Sequence, residues 1–398
     1  MKLSQFDYKL PADQVAIYPH SIEHVVTNDK GVQNTFRLKR PDECRMVIVH
    51  KKSKKISLHK TGPKGKILKD EQGNRIPYTL LDFFDYFGEG DTVILNDTKV
   101  LPARLYGTKE KTDAVIEVFL LRELNAEMRL WDVLVEPARK IRIGNKLFFD
   151  NTGDLVAEVI DNTTSRGRTL RFLYDCTHEE FKQQLFSLGQ APLPHYVIDH
   201  VDKNGKKDRP VTEEDLEDFQ CVYAKNEGAV TAPSTGLHFT RQMMKRLEIH
   251  GINTAYLTVH IGLGNFSNIE VEDLSKHKMD SEEMHITQET CDLVNNTKKA
   301  GHHVCAIGAS VLKATETTVG TDGFLKPYDG WTNKFIFPPY ECSMADSLLV
   351  NLYQPMSPMV MATCAFGGYD IVMEAYNQAI KAGFNVGCFG DVMLIVND

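Results

Sequence analysis

The sequence predicts an α/β protein in which a larger mixed α/β domain is interrupted by a smaller, barrel-like β domain. Three observations carry this expectation. The 398 residues have ordinary globular composition, 42% hydrophobic and 25% charged, and length enough for two domains. Short apolar runs crowd the middle of the chain. Further on, a helical pattern that ends at glycine and feeds an apolar run occurs three times.

In the middle, AVIEVFLL (114–121), LWDVLVE (130–136), LVAEVI (155–160) and TLRFLY (169–174) read as strands separated by turn-forming stretches such as DNTTSRGR. Strands this short suit a small barrel or sandwich. Downstream, TRQMMKRLEIHG reads as a helix with Thr240 as its N-cap and Gly251 beyond its end, and it feeds INTAYLTVHIG. QETCDLVNNTKKAG then leads through Gly301 to HHVCAIG, and YDIVMEAYNQAIKAG leads through Gly383 towards FGDVMLIV. Periodicity does not supply strand order. The main domain is expected at 1–104 and 213–398, and the insertion at 105–212.

The start, MKLSQFDYKLPADQ, has no apolar segment behind basic residues, and no window approaches 18 uncharged apolar residues. Neither secretion nor a membrane span is expected, and the chain reads as cytoplasmic. Eight scattered cysteines form no CxxC pair and no Cys/His cluster at zinc spacing, so reduced, mostly buried thiols and no metal site are expected. The net charge of −8 argues against coating nucleic acid through a bulk positive field. Local charge differs. Residues 51–69, KKSKKISLHKTGPKGKILK, hold eight lysines and no acid, and a second basic zone includes Arg139, Lys140, Arg142, Lys146, Arg166, Arg168 and Arg171. Each zone is read as a solvated face, and the Gly/Pro content of the first suggests a flexible excursion.

Gly262 and Gly264 follow a predicted strand in His260-Ile-Gly-Leu-Gly-Asn-Phe. A dinucleotide site needs a helix to begin there, and NFSNIEVED looks irregular or extended. The two glycines therefore admit a ligand or simply make a turn. Walker A, GxSxG and HExxH sequences are absent, which removes the usual support for phosphate-loop enzymes, α/β-hydrolases and zincins.

What remain are polar runs between apolar segments. Asn96, Asp97 and Thr98 follow a strand and precede Pro102 and Arg104; they close an Asx-turn or touch a ligand. YAKNEGAVTAPSTGLHFT (223–240) is a loop of small residues ending at a helix start, where backbone N–H groups favour an anion. Thr235 and Gly236 leave room beside His238, itself either a hydrogen-bonded structural residue or a ligand contact. His277-Lys-Met-Asp280-Ser-Glu282-Glu, downstream of His260, offers imidazole and carboxylate for acid–base work near neutral pH, or histidines with a structural role.

Taken in order, these runs resemble the S-adenosylmethionine:tRNA ribosyltransferase-isomerase (QueA) family across nearly the whole chain. The similarity begins at Phe6-Asp-Tyr-Lys-Leu-Pro and passes through Cys44-Arg45-Met-Val-Ile-Val to LNDTKVLPARL, close to the family's LNDTRVIPARL. It continues through EVFLL, WDVLVEPARKIRIGNKLFF, GQAPLPHYV, QCVYAKNEGAVTAPSTGLHFT, LTVHIGLGNF, HKMDSEEM, the segment from Phe335 to Gly367 and the terminal FGDVMLI.

The resemblance implies an α/β domain with an inserted β-barrel-like domain. It also implies transfer of the ribosyl moiety of S-adenosylmethionine to 7-aminomethyl-7-deazaguanine in tRNA and its isomerisation to epoxyqueuosine, releasing adenine and methionine, in queuosine biosynthesis. S-adenosylmethionine is then co-substrate, tRNA carrying the 7-deazaguanine base is partner, and no other cofactor is needed. A base must remove a proton beside the sulfonium and an acid must assist adenine departure. His238, His260, His277 and Glu282 become candidate acid, base or positioning groups. Asn96, Asp97, Thr98, Arg104, Thr235, Gly236, Gly262, Gly264, Lys313, Glu316 and Asn351 become candidate substrate contacts.

The sequence departs from the family pattern mainly in its C-terminal third. Tyr353 stands where the family has histidine, Pro358 where it has threonine, Lys313 where it has arginine, and Asn385 where arginine is expected; Asp280 replaces His or Tyr, and PSTG replaces PTAG. A phenol does not titrate like an imidazole, and lysine lacks the bidentate fork of arginine. The alternatives these changes suggest are a non-catalytic or regulatory relative that binds an adenosyl compound or RNA, or the same sulfonium chemistry on another acceptor.

Overall fold

The computed structural model describes residues 1–27, 33–150, 153–164, 166–201, 209–265 and 269–397. Its centre is a nine-stranded sheet in the order Tyr328–Thr332, Glu282–Ile286, Asn253–Val259, Thr92–Asn96, Val304–Ile307, Ser347–Asn351, Val392–Val396, Met46–His50 and Lys55–Ser57. The four strands from Asn253–Val259 to Ser347–Asn351 are mutually parallel. Parallel neighbours need crossover connections, which cover both faces of the sheet. Thr92–Asn96, Val304–Ile307, Ser347–Asn351 and Val392–Val396 are accordingly buried at every position.

Residues of one sheet face, including Val47, Ile94, Leu257, Ala306 and Leu348, pack against the helices Gln288–Lys299, Ala309–Thr318, Pro358–Gly367 and Tyr369–Lys381. Their strand neighbours Ile48, Val93, Cys305 and Leu349 point the other way, onto Phe83, Phe239, Met243 and Leu247. Alternation along each strand thus feeds two cores.

All three predicted helix-to-strand units are present. Thr240 caps the helix Arg241–Ile249 by accepting from the Met243 N–H at 3.1 Å, as expected of a threonine with extended backbone at that position. Gly251, Gly301 and Gly383 end their helices at φ of +68°, +79° and +78°, where a side chain would be strained.

The middle of the chain closes into a six-stranded antiparallel barrel, ordered Lys146–Phe148, Val156–Asn162, Gly167–Leu173, Leu130–Glu136, Val115–Asn125 and Arg104–Lys109. The four strand-like runs of the sequence all lie on barrel strands. Arg104–Lys109 and Lys146–Phe148, not singled out in the sequence, complete the ring. Alternate residues such as Val118, Leu120, Trp131, Val133, Leu170 and Phe172 fill the interior, and the helix His178–Leu188 packs on it through Phe181 and Leu185.

The two basic zones resolve differently from each other. Arg168 is buried and donates to the carbonyls of Ala138, Ile141 and Gly167, while Arg166 pairs with Glu136 and Arg171 with Glu158. The lysine-rich run is not the excursion expected from its glycine and proline. Lys55–Ser57 pairs with Met46–His50, and the following residues form a meander tied by backbone hydrogen bonds from Lys60 to Ile76, Leu68 to Lys60 and Ile76 to Leu68 at 2.8–3.0 Å.

Candidate active site

Ligands of open α/β sheets bind outside the carboxyl ends of the parallel strands. Here those ends open on one cleft. Ile261 follows the strand Asn253–Val259, Gly308, Ala309 and Ser310 follow Val304–Ile307, and Tyr353 follows Ser347–Asn351; all line the cleft together with Pro233, Ser234 and Lys313. Met279, Phe335, Ile336 and Met359 form apolar walls. The mixture of apolar walls and a few fixed polar groups is that of a small-molecule site.

Beneath the cleft, Asn96 ends the strand Thr92–Asn96. Its Oδ1 accepts from the Val259 and Thr98 N–H groups at 2.9 and 3.2 Å, and its Nδ2 donates to the Val259 carbonyl and Ser310 Oγ at 3.0 and 3.3 Å. Two acceptor and two donor capacities are filled within the protein, so this side chain locks adjacent strand ends and holds the cleft residue Ser310. Asp97 accepts from Thr258 Oγ1 at 2.6 Å and from Asn226 Nδ2 at 3.1 Å.

Thr98 Oγ1 lies 2.8 Å from His260 Nδ1. The imidazole lies against Gly228, where a Cβ would come within 2.7 Å of the ring. Burial lowers the His260 pKa, with Glu283 and Asp97 opposing, so the ring is neutral near pH 7. Since Ile261 lines the cleft, His260 projects to the opposite side of its strand extension, towards Thr98 and Gly228.

Lys313 and Glu282 form a buried ion pair at the cleft wall. The second carboxylate oxygen of Glu282 accepts from the Gly262 N–H at 3.0 Å, so Gly262 contributes backbone to the site. Gly264 lies against Asp280, where a Cβ would meet Oδ2 at 2.8 Å. His277 is half-buried and packs edge-on against the cleft residue Phe335, with ring centroids 5.1 Å apart.

The 3₁₀ turn Ser234–His238 carries a second set. Thr235 Oγ1 accepts from the Asn351 N–H at 3.3 Å and lies 3.4 Å from the Tyr353 hydroxyl. His238 is only 1% exposed. Its Nδ1 is 3.1 Å from the Pro41 carbonyl and its Nε2 is 3.1 Å from Asn351 Nδ2, an amide nitrogen that also donates to the carbonyls of Gly387 and Cys388. Nδ1 therefore carries the proton and Nε2 accepts. Burial pulls the His238 pKa down to about 4. Gly236 is packed against Tyr223 and Cys221, which leaves no room for a side chain.

Two sequence candidates are not among the residues that line the cleft. Arg104, on the barrel, pairs with Glu117, donates to the Leu193 carbonyl at 3.1 Å and lies over the Phe119 ring. Glu316 accepts from the N–H groups of Ser343 and Met344 at 2.9 and 2.8 Å and from the Tyr340 hydroxyl at 3.0 Å, holding the segment before the strand Ser347–Asn351. The cleft in turn uses Ser234, Ser310, Met279, Phe335 and Met359, which sequence reasoning did not single out. The apolar ones carry no signal that separates them from core residues.

Among the described residues, no three His, Cys, Asp or Glu side chains are grouped to hold a metal ion, and no helix is long and apolar enough to cross a membrane. Six of the eight cysteines are buried.

The sequence matches the family model described as queuosine biosynthesis protein over residues 3–395. It is 54% identical over 397 residues to the S-adenosylmethionine:tRNA ribosyltransferase-isomerase of Phocaeicola vulgatus, and 53% identical over 397 residues to that of Bacteroides fragilis; each alignment covers 100% of both chains. A crystal structure of S-adenosylmethionine tRNA ribosyltransferase from Thermotoga maritima aligns over 98% of this chain and 100% of its own, at 24% identity and a TM-score of 0.49.

Proposed function

The chain belongs to the queuosine biosynthesis protein family, and from that membership we propose that it is an S-adenosylmethionine-dependent enzyme that transfers the ribosyl moiety to tRNA and isomerises it. The acceptor in this reading is the 7-aminomethyl-7-deazaguanine base, and the products are epoxyqueuosine in tRNA, adenine and methionine. The sulfonium activates the adjacent ribose carbon, so the reading includes no resident cofactor. In this reading the enzyme works in the cytoplasm, beside its tRNA acceptor.

The observation that carries the proposal is the convergence of parallel strand ends on one cleft with a cation in its wall and apolar surfaces opposite. Lys313 and the first-turn N–H groups of the helix Ala309–Thr318 suit the methionine carboxylate. Met279, Phe335 and Ile336 suit the adenine ring, and Ser234, Ser310 and Tyr353 the ribose hydroxyls.

Within this reading, His277 beside Phe335 is the acid that assists adenine departure. Glu282, with its charge held by Lys313 and the Gly262 N–H, is the base for the proton beside the sulfonium. His260 faces the acceptor side with Thr98. His238, with both ring nitrogens occupied, is a positioning residue that fixes Asn351 and through it Thr235. Incubation with S-adenosylmethionine and precursor-containing tRNA is expected to release adenine in step with tRNA modification. Well-folded protein that releases none overturns the proposal.

A further inference from the structure

We propose that the lysine-bearing meander formed by residues 51–78 is a docking surface for the phosphate backbone of the RNA acceptor. This rests on the reading of that acceptor as tRNA. The sequence places eight lysines in 51–69 within a chain whose net charge is −8. A solvated loop would leave them to diffuse apart. Instead the backbone bonds between Leu58, Lys60, Leu68, Ile76 and Tyr78 hold the segment in register at 2.8–3.0 Å.

Lys52, Lys54, Lys55, Lys66, Lys69 and Arg75 are exposed on this frame, and among the described residues none of the six has a carboxylate ion-pair partner. Lys60, by contrast, is paired with Asp82. Exposed cations without carboxylate partners on an ordered frame are the chemistry that a phosphate backbone pairs with.

The surface also leads to the cleft. Lys51 Nζ sits 5.2 Å from the Phe366 ring centroid, near the end of the helix Pro358–Gly367, whose Pro358, Met359 and Ala362 line the cleft. Lys54 Nζ approaches Gly368 just beyond that helix. Lys51 and Lys334 both act electrostatically on Cys342, and Lys334 is itself in the cleft wall. A ten-residue helix spans about 15 Å, a distance that a few nucleotides of an RNA strand cross. Lys51 and Lys54 at the end of this helix, and Lys334 in the cleft wall, thus put cations at both the meander and the reaction site.

The test uses the full chain carrying Lys52→Gln, Lys54→Gln, Lys55→Gln and Lys66→Gln together, with the four Lys→Arg changes as a charge-preserving control. Binding of fluorescently labelled precursor tRNA is measured between about 50 and 200 mM salt. The Gln variant is expected to lose affinity about tenfold or more and to show a shallower salt slope by roughly three, while the Arg variant keeps both. Calorimetric binding of S-adenosylmethionine and the melting temperature should not change in either. A folded Gln variant with wild-type tRNA affinity and salt slope overturns the assignment of this surface, including where the meander serves a protein partner instead. Should the wild-type chain bind S-adenosylmethionine but no tRNA, the functional reading fails first and this inference with it; wild-type turnover with an unchanged tRNA KM in the Gln variant sinks the inference alone.

Discussion

Lys313 on the helix Ala309–Thr318 pairs with Glu282 on the strand Glu282–Ile286; both residues are more than nine-tenths buried, and Lys313 lines the cleft. Neither charge is left unsatisfied, because the other Glu282 oxygen takes the Gly262 N–H. Removing one partner leaves a buried, unpaired charge, which typically costs about 3–5 kcal/mol, whereas replacing both with neutral groups of similar size is close to neutral. Lys313→Met alone is therefore expected to destabilise strongly. Glu282→Gln with Lys313→Met should recover most of the stability while adenine release stays abolished. Urea melts of the two variants check the first expectation and product assays the second. Equal stability of the single and double variants would show that the pair does not carry charge in the folded protein.

His238 gives a pH prediction. Its unfolded imidazole titrates near 6.5 and the folded one near 4, because burial disfavours the cation. Between those values the unfolded chain holds a proton that the folded chain lacks. The contribution is therefore complete above about pH 6.5 and is lost as the pH falls towards 4, amounting to about 3 kcal/mol. His238→Gln should flatten this part of the stability profile, whatever it does at pH 7. Chemical denaturation at half-unit pH steps tests it, and an unchanged acid limb in the variant would remove His238 as its origin.

Much of the fold was legible because its signals are local. Glycines after periodic stretches mark real helix ends, and alternating runs mark barrel strands, since both depend on the few residues around them. The fate of the lysine-rich run was not legible. Its meander depends on Ile76 and Tyr78, beyond the basic stretch, and its two glycines and one proline fall in a turn. The candidate site was legible in part. Glu282 and Lys313 join because strand order brings them together, which periodicity does not reveal. Asn96 offers two readings in the sequence, turn closure or ligand contact, and its four internal hydrogen bonds give it a structural role that strand order, not local pattern, creates. Met279 and Phe335 look like any core residues until the fold leaves one side of each open to the cleft.

Gly228 should be intolerant of a side chain for a reason that involves His260. A Cβ there would lie 2.7 Å from the imidazole, at a backbone φ of +154°. Overpacking of this kind costs about 1–3 kcal/mol. Gly228→Ala is expected to destabilise by that amount and to displace the ring from Thr98, lowering adenine release. In a His260→Ala background the same substitution should cost less, because the ring no longer occupies the space. Thermal melts of the four-member cycle measure the coupling; zero coupling would place the cost in the backbone alone.

Glu316 separates a structural role from substrate binding. One carboxylate oxygen accepts both the Ser343 and Met344 N–H groups, and the other accepts from Tyr340. Burial and the nearby Glu316 charge raise the Tyr340 pKa, so the phenol keeps its proton and remains the donor. Glu316→Gln retains an oxygen for the two backbone groups and is expected to cost less than about 1 kcal/mol. Glu316→Ala strands both N–H groups and should cost about 2–4 kcal/mol at the usual penalty for buried, unpaired donors. A substrate contact predicts another pattern, in which Glu316→Gln raises the S-adenosylmethionine KM without loss of stability. Denaturation and steady-state kinetics on the two variants distinguish these roles, and the three bonds in place here predict that KM for Glu316→Gln stays within about twofold of wild type, an energy difference below about 0.5 kcal/mol.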